Sequence, residues 1–268
     1  MNSDRLLLHY ERIADAPDAI ARLRRFILDL AVRGKLVDTE FDWRSCTLGD
    51  VGAWGSGGTP TRTNPDFYGG AIPWLVIGDL NDGVVTQAET HITQAGLDNS
   101  SAKIVEPGTV LIAMYGSIGK LGVAGIRCAT NQAIAHCRPD QSVVSTEYLL
   151  VLLCSLREDF LSKGQGVAQQ NISQKILKAW PVQLPPLAEQ HRIVAKVDEL
   201  MGLCDRLEVA RAGREAVRDR LAAASLARLN APDPETFQAD ARFVLNALPA
   251  LTTRPDQIKR LRQTILNL

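Results

Sequence analysis

The amino-acid sequence predicts an α+β protein, in which a compact β-rich domain is followed by a long, coiled-coil-forming α-helix and preceded by a short N-terminal helical segment. Three observations predict this architecture. Short apolar runs separated by glycine-rich turns fill residues 46–187, as expected for many short strands. Residues 188–230 contain no proline and carry apolar residues at steps of three and four. A second, shorter stretch with helical spacing lies near the N-terminus.

The N-terminal helical segment spans residues 1–45. An amphipathic helix is predicted for 17–33, and Gly34 is suited to end it. Its apolar positions recur at steps of three and four: Ile20, Leu23, Ile27 and Leu30.

The β-rich domain is predicted for residues 46–187. Its strand candidates are "IPWLVI" (72–77), "TVLIAMY" (109–115), "LGVAGI" (121–126) and "QAIAHC" (132–137). Residues 145–161 then predict one helix with Ser145 or Thr146 as its N-cap. Prolines at 181, 185 and 186 forbid a regular helix there, so the chain leaves the domain in an extended conformation.

The long helix is predicted for 188–230, with a length of roughly 60 Å. A helix of this length has to bury its apolar stripe against another helix. Five residues form the predicted helix-pairing seam: Ile193, Val197, Leu200, Cys204 and Leu207.

Residues 231–268 are predicted to be a linker and the start of a second repeat unit. "PDQIKRLRQTILNL" (255–268) matches "PDAIARLRRFILDL" (17–30) at nine of fourteen positions, with one offset of 238 residues. We expect a second β-rich domain to follow Leu268 if the sequence is part of a longer chain. The alternative is a natural half-length chain that pairs with a second copy of itself.

Composition excludes several classes of protein. The chain has 30 basic and 30 acidic residues, which argues against a surface that binds nucleic acid all over. No apolar run reaches the roughly 18 residues that span a bilayer, and the N-terminus lacks the apolar region of a signal peptide, so we expect a cytoplasmic protein. Five scattered cysteines and four isolated histidines predict neither a disulfide framework nor a metal site.

No catalytic motif is complete. "NPDF" (64–67) is similar to the N-P-P-[YF] loop of amino-methyltransferases, but its third residue is Asp66 and no S-adenosylmethionine loop precedes it. A turn built on Asn64 and Pro65 is the favoured interpretation. "GSGG" (55–58) and "GSIGKLG" (116–122) match no nucleotide-binding loop. We therefore expect no enzymatic activity in this chain.

Two windows without acidic residues, 107–139 and 160–188, predict a local DNA-binding surface inside the β-rich domain. Asn, Gln, Arg and Lys side chains can bind base edges, and Lys, Ser and Thr can bind phosphates. These windows and the loop near Arg62 supply the predicted DNA contacts: Thr61, Arg62, Tyr115, Ser117, Lys120, Asn131, Gln132, Lys163, Gln165, Gln169, Gln170, Asn171, Gln174, Lys175 and Lys178.

Several segments together resemble the specificity subunit of type I restriction–modification systems. They are "W-x-x-x-x-L-G-D-V" (43–51), "SGGTP" (56–60), "IPWLVIGDL" (72–80), "GTVLIAMYGSIGKLGV" (108–123), "TNQAIA" (130–135) and "GVAQQNISQKILKAWPVQLPPLAEQHRIV" (166–194). Each is loose alone, and their order along the chain is specific. The likeness covers residues 43–207, and both ends through the repeat.

The resemblance implies that 46–187 is a target recognition domain and that 188–230 is the family's conserved spacer helix. It implies double-stranded DNA, modification (methyltransferase) subunits and a restriction subunit as partners, the subunits docking on the conserved helices, among them that of Arg22–Arg25. S-adenosylmethionine, ATP and Mg are then expected on those subunits, with no cofactor in this chain. Two alternatives stay open: a fragment of an adenine-specific DNA methyltransferase, or a plain coiled-coil interaction protein.

Overall fold

A computed structural model describes residues 18–39, 42–163 and 171–267. It confirms the predicted α+β class, with a β-sheet region, a short helix before it and a long helix after it. The chain divides into two compact units: residues Ala21–Met201, and a C-terminal helical unit that begins at Gly202. Each unit has its own apolar core.

The first described helix, α1 (Ala19–Val32), buries Ile27 and Ala31. It ends where Gly34 takes a φ of +64°, a left-handed conformation that glycine adopts without strain. Gly34 is therefore the helix stop that the sequence predicts.

Eleven strands form three sheets within the described residues. The first sheet pairs β1 with β11, the second has the order β2-β10-β7-β8-β4, and the third has the order β5-β3-β9-β6. The strands are β1 (Arg44–Thr47), β2 (Gly52–Ser56), β3 (Tyr68–Leu75), β4 (Val84–Val85), β5 (His91–Ile92), β6 (Ile104–Val105), β7 (Val110–Ala113), β8 (Leu121–Ala124), β9 (Cys128–Thr130), β10 (Ile134–Pro139) and β11 (Pro181–Leu184).

The central strands of the five-stranded sheet carry most of the core. All four residues of β7 and all four of β8 are buried, which explains why their sequences are continuously apolar and do not alternate. One apolar cluster joins this sheet to Leu75 and Cys128, and a second surrounds Trp74 and Ile92 of the four-stranded sheet.

Short helices connect and flank the strands: α2 (Gln94–Asp98), α3 (Thr146–Ser155), α4 (Arg157–Lys163) and α5 (Gln174–Lys178). Ser145 caps α3 as predicted, because its Oγ accepts a hydrogen bond from Tyr148 N at 3.1 Å. The single helix expected over 145–161 is instead two helices, broken at Leu156. The break allows Phe160 to turn inward, where its ring meets the Trp180 ring edge-on with a centroid distance of 4.9 Å.

The long helix α6 (Leu187–Asn230) has 44 residues, and α7 (Phe237–Leu251) and α8 (Pro255–Asn267) follow it. In the C-terminal unit these helices share a core that includes Leu226, Val244 and Leu261. Arg254 ties the start of α8 to α6, since its guanidinium binds Glu215 at 2.9 Å and Asp219 at 2.5 Å. None of the helices that the structure describes is both long and apolar enough to cross a membrane.

Candidate nucleic-acid interface

Several predicted DNA contacts meet at one end of the five-stranded sheet. The register pairs Ser56 with Ala135, Ile134 with Ala113 and Ile112 with Leu121. The ends of β2 and β7 and the beginnings of β8 and β10 therefore lie side by side. We call the segments that extend from this edge, residues 57–64, 114–120, 131–133 and 171–172, the loop end of the domain.

Glycines allow the segment 57–64 to lie close to its neighbours. Gly57 N donates to Ile134 O at 3.1 Å, and Gly58 N donates to Thr130 O at 2.9 Å. A Cβ on Gly57 would lie 2.0 Å from Thr130 O, so no other residue fits without moving the backbone. Trp74 Nε1 donates to Gly58 O at 3.0 Å. The loop is thus held firmly at its base.

Beyond this anchored base, Thr61 and Arg62 are exposed to solvent. The next residues form a short 3-10 helix, Pro65–Phe67, in which Asn64 Oδ1 accepts a hydrogen bond from Asp66 N at 3.1 Å. The "NPDF" segment is therefore a local turn, and the Asn64 side-chain oxygen is used within it.

The segment 114–120 joins β7 to β8 and turns sharply at Gly116 and Gly119, whose φ angles are +65° and +76°. Met114 N donates to Ala133 O at 2.8 Å, which ties this loop to the 131–133 turn. Tyr115 and Asn171 form an isolated β-bridge, and Tyr115 is 42% exposed. The loop end therefore combines side chains from four separate stretches of sequence.

Asn131 and Gln132 occupy the turn before β10. Asn131 Oδ1 accepts a hydrogen bond from Ala133 N at 3.1 Å, and Gln132 Oε1 accepts one from the Thr59 hydroxyl. Each side-chain oxygen thus has a partner within the protein. Their amide N–H groups are left as the side-chain donors at this surface.

Lys120, one of the predicted DNA contacts, also makes hydrogen bonds within the protein. Its Nζ donates to Ile77 O at 3.1 Å and to Gly78 O at 3.3 Å, which joins the 114–120 loop to the turn after β3. The ammonium group stabilises this junction within the protein.

The pair Lys175 and Lys178 lies on α5, away from the loop end, against the 3-10 helix Leu48–Val51 that precedes β2. Both lysines are exposed and line a shallow depression with Gly49 and Asp50. They form a second basic surface of the same domain. Gln174 Nε2, beside them, is buried and has no hydrogen-bond partner among the described residues.

The remaining predicted contacts are less informative. Ser117 and Asn171 are exposed at the loop end, and Lys163 is the exposed last residue of α4. Gln165, Gln169 and Gln170 lie outside the described residues.

The sequence prediction missed two residues that support the 114–120 loop. Arg157 Nε donates to Gly119 O at 2.8 Å, and its Nη2 pairs with Asp82 Oδ1 at 2.5 Å. The same Asp82 oxygen accepts a hydrogen bond from Leu121 N at 2.9 Å, and Asp82 has a φ of +61°. Asp82 and Arg157 are 75 residues apart, so their pairing could not be predicted from local sequence.

Two of the cysteines are too buried to react readily, and the described residues form no metal-ligand cluster. Burial raises the pKa of the Cys128 and Cys137 thiols to about 12, so neither forms a thiolate nucleophile near neutral pH. No three His, Cys, Asp or Glu side chains of the described ranges converge in a way that could hold a metal ion. All five cysteines are free.

Part of the predicted helix-pairing seam is already buried within the single chain. Ile193, Val197 and Cys204 have at most 3% of their surface exposed. Leu200 is half-buried, and Leu207 is 44% exposed. Any surface that this seam presents to another helix lies towards Leu207.

Comparison with protein families gives one match that covers most of the chain. Residues 40–211 match the model of the type I restriction modification DNA specificity domain. Among curated relatives, the Escherichia coli "Type I restriction enzyme EcoR124I/EcoR124II specificity subunit" is 27% identical over 212 residues, which cover 74% of this chain and 50% of that protein. The MjaIX specificity subunit of Methanocaldococcus jannaschii is 28% identical, over 57% of this chain and 36% of its own.

Solved structures agree with this match. The HsdS subunit of Thermoanaerobacter tengcongensis superposes with a TM-score of 0.57 at 25% identity, over 78% of this chain and 50% of that one. The chain spans about half the length, or less, of the relatives that it matches.

Proposed function

Because this chain belongs to the family of type I restriction–modification DNA specificity domains, we propose that it reads one half of a bipartite DNA sequence within a restriction–modification complex. One observation carries the proposal most directly. The loop end gathers exposed Arg, Tyr, Ser, Asn and Gln side chains from four stretches of sequence onto one edge of a rigid sheet. Side chains of these types, held on a rigid scaffold, are suited to contacting base edges in the major groove.

The loop end and the surface formed by Lys175 and Lys178 have different roles in recognition. Lys175 and Lys178 contact phosphates and set the register of the domain on the duplex, without reading sequence. Arg62 contributes a guanidinium that can bind a guanine edge through two hydrogen bonds. Asn131 and Gln132 donate through their amide N–H groups, because their oxygens already have protein partners, which favours acceptors such as guanine O6 and N7 or thymine O4.

The chain itself is non-catalytic in this proposal. Methyl transfer from S-adenosylmethionine belongs to modification subunits, and ATP- and Mg-dependent cleavage belongs to a restriction subunit. The complex acts in the cytoplasm, where the chromosome lies. The exposed apolar residues of α6, which include Leu203, Leu207, Val209 and Val217, provide the surface for a second conserved helix. That helix comes either from a second recognition unit or from a second copy of this chain.

Salt-dependent duplex binding tests the proposal. The double variant K175Q/K178Q removes two phosphate contacts, so we expect weaker binding to all duplexes and a slope of log affinity against log salt that is smaller by about 2. K196Q is the matched control, because Lys196 lies on α6 and pairs with Glu199 at 2.8 Å. The measurements use the chain together with its modification subunit, since the isolated chain has no net charge.

Two results would contradict the proposal and favour the alternatives. Binding of S-adenosylmethionine by this chain alone would indicate a methyltransferase fragment. Dimerisation without duplex affinity, in the presence of the modification subunit, would indicate a plain coiled-coil protein.

A further inference from the structure

The long helix α6 begins inside the β-rich domain, with two polar side chains of its first turn completely enclosed. Glu189 is 1% exposed and Gln190 is 0% exposed. Burying a carboxylate or an amide is costly unless it is hydrogen-bonded. Their surroundings therefore show what this turn of the helix is attached to.

Gln190 is bonded through its whole amide group. Its Oε1 accepts from Ser145 N at 2.9 Å, and its Nε2 donates to Val143 O and to Pro185 O, each at 2.9 Å. All three partners are backbone atoms, so rotation of a partner side chain cannot break these hydrogen bonds. Ser145 is also the N-cap of α3, which means that one amide joins the first turn of α6 to α3 and to the chain leaving β11.

Glu189 connects the same turn to the N-terminal side of the domain. Its Oε1 accepts from Trp43 Nε1 at 3.0 Å. The Trp43 ring lies beside Gly34, where a Cβ would be 3.2 Å from it, and Gly34 is the stop of α1. The end of α1, the residue before β1 and the start of α6 therefore meet at one point.

We propose that Glu189 and Gln190 form a rigid joint that fixes the direction in which α6 leaves the β-rich domain. As a consequence, the joint sets the spacing between the two half-sites that the complex accepts. This consequence rests on the proposed function. Both are positioning residues in this proposal, because both are buried and act through the direction of α6.

The length of α6 makes its direction important. A 44-residue helix is about 65 Å long. The fifteen residues of α6 that belong to the unit Ala21–Met201 (187–201) are about 22 Å long, so a rotation of about 10° at the base displaces their end by about 4 Å, or about one base-pair step of about 3.4 Å. A joint with even this much freedom would no longer distinguish neighbouring spacer lengths.

The joint can be tested without DNA. Q190M removes all three hydrogen bonds while keeping a side chain of similar length, and Q183M makes the same change at an exposed glutamine that pairs only with the Ser45 side chain among the described residues. Spin labels at the exposed positions Gln141 and Asp198 of the full chain, both within the unit Ala21–Met201, report the distance between the β-rich domain and the first part of α6. We expect a broader distance distribution in Q190M and an unchanged one in Q183M.

An unchanged distribution in a folded Q190M chain would overturn the joint, whatever the chain does with DNA. Circular dichroism shows whether Q190M is folded. If it is not, W43F takes its place, because it removes the Glu189 hydrogen bond and keeps an aromatic ring. An unchanged distance distribution in folded W43F would then overturn the joint.

The consequence for spacing is tested by selecting duplexes from a fully randomised library with the assembled complex. We expect Q190M to select the same bases as the unaltered protein, while its preference for one spacer length over the next falls by about tenfold, the factor that a lost hydrogen bond network can supply. An unchanged spacer preference, or altered bases with unchanged spacing, would refute it. If the unaltered complex selects no sequence at all, the proposed function fails, and the label distances alone decide on the joint.

Discussion

Replacing Gly57 with alanine is the sharpest test of how the loop end is built. The added Cβ would lie 2.0 Å from Thr130 O, whereas such carbons essentially never approach another heavy atom closer than 3.0 Å. The loop and the strand must therefore separate by about an ångström, which weakens the hydrogen bonds from Gly57 N to Ile134 O and from Gly58 N to Thr130 O. Overpacking costs about 1–3 kcal/mol and each lost hydrogen bond about 1 kcal/mol.

We therefore expect G57A to lower the free energy of unfolding of the β-rich domain by about 3–5 kcal/mol, a large part of a typical domain's stability of about 5–15 kcal/mol. Urea unfolding followed by tryptophan fluorescence measures it, because all four tryptophans lie in the unit Ala21–Met201. G213A is the control, since Gly213 lies in the interior of α6 with no atom within 4 Å of its Cβ position. That change should stabilise the helix by about 0.5–1 kcal/mol, as seen by circular dichroism. A G57A midpoint equal to that of the unaltered protein would refute the close-approach argument.

Three further predictions concern charged and titratable groups. R157M removes the support of Gly119 O, so we expect duplex binding to weaken about tenfold while the free energy of unfolding falls by only about 1 kcal/mol; unchanged affinity in a binding titration would contradict this. R254M should lower the melting temperature of the C-terminal helical unit near neutral pH. Hydrogen bonding to Arg254 lowers the pKa of Asp219 below its ordinary value of 3.8, so this stabilisation is present above about pH 4 and is lost as pH falls further; melting curves of the two proteins should converge in acid. Burial lowers the pKa of His136 below 6.5, so the unfolded chain takes up the proton first and stability is lost as pH falls below about 6.5; H136Q should show a flatter pH dependence of unfolding there, and an equal slope would count against it.

Local features of the fold were predictable from the sequence because they depend on neighbouring residues. The Ser145 N-cap and the Gly34 helix stop each follow from the chemistry of one residue in its own turn. The break at Leu156 was not predictable, because apolar spacing continues through it and the Trp180 ring that packs against Phe160 is distant in sequence.

In the candidate site, too, features that depend on neighbouring residues were predictable and contacts between distant residues were not. Exposed polar residues such as Ser117 and Gln132 stood out in windows without acidic residues. The carbonyl partners of Lys120 and the pairing of Arg157 with Asp82 did not, because sequence windows contain no information about contacts 42 to 75 residues apart. Periodicity in the helix-pairing seam indicated that Ile193 must be buried, but it could not identify the covering surface.

The pairing of β1 with β11 has a consequence for how such proteins diversify. Arg44 lies opposite Leu184, so the polypeptide enters and leaves the β-rich domain at adjacent positions. A different domain with similarly paired ends could be inserted by recombination between α1 and α6. The two helices would then keep their geometry. Under the proposed function, a new preference for DNA sequence could therefore arise in a single genetic exchange. No series of intermediates would be needed in which α1 and α6 adapt.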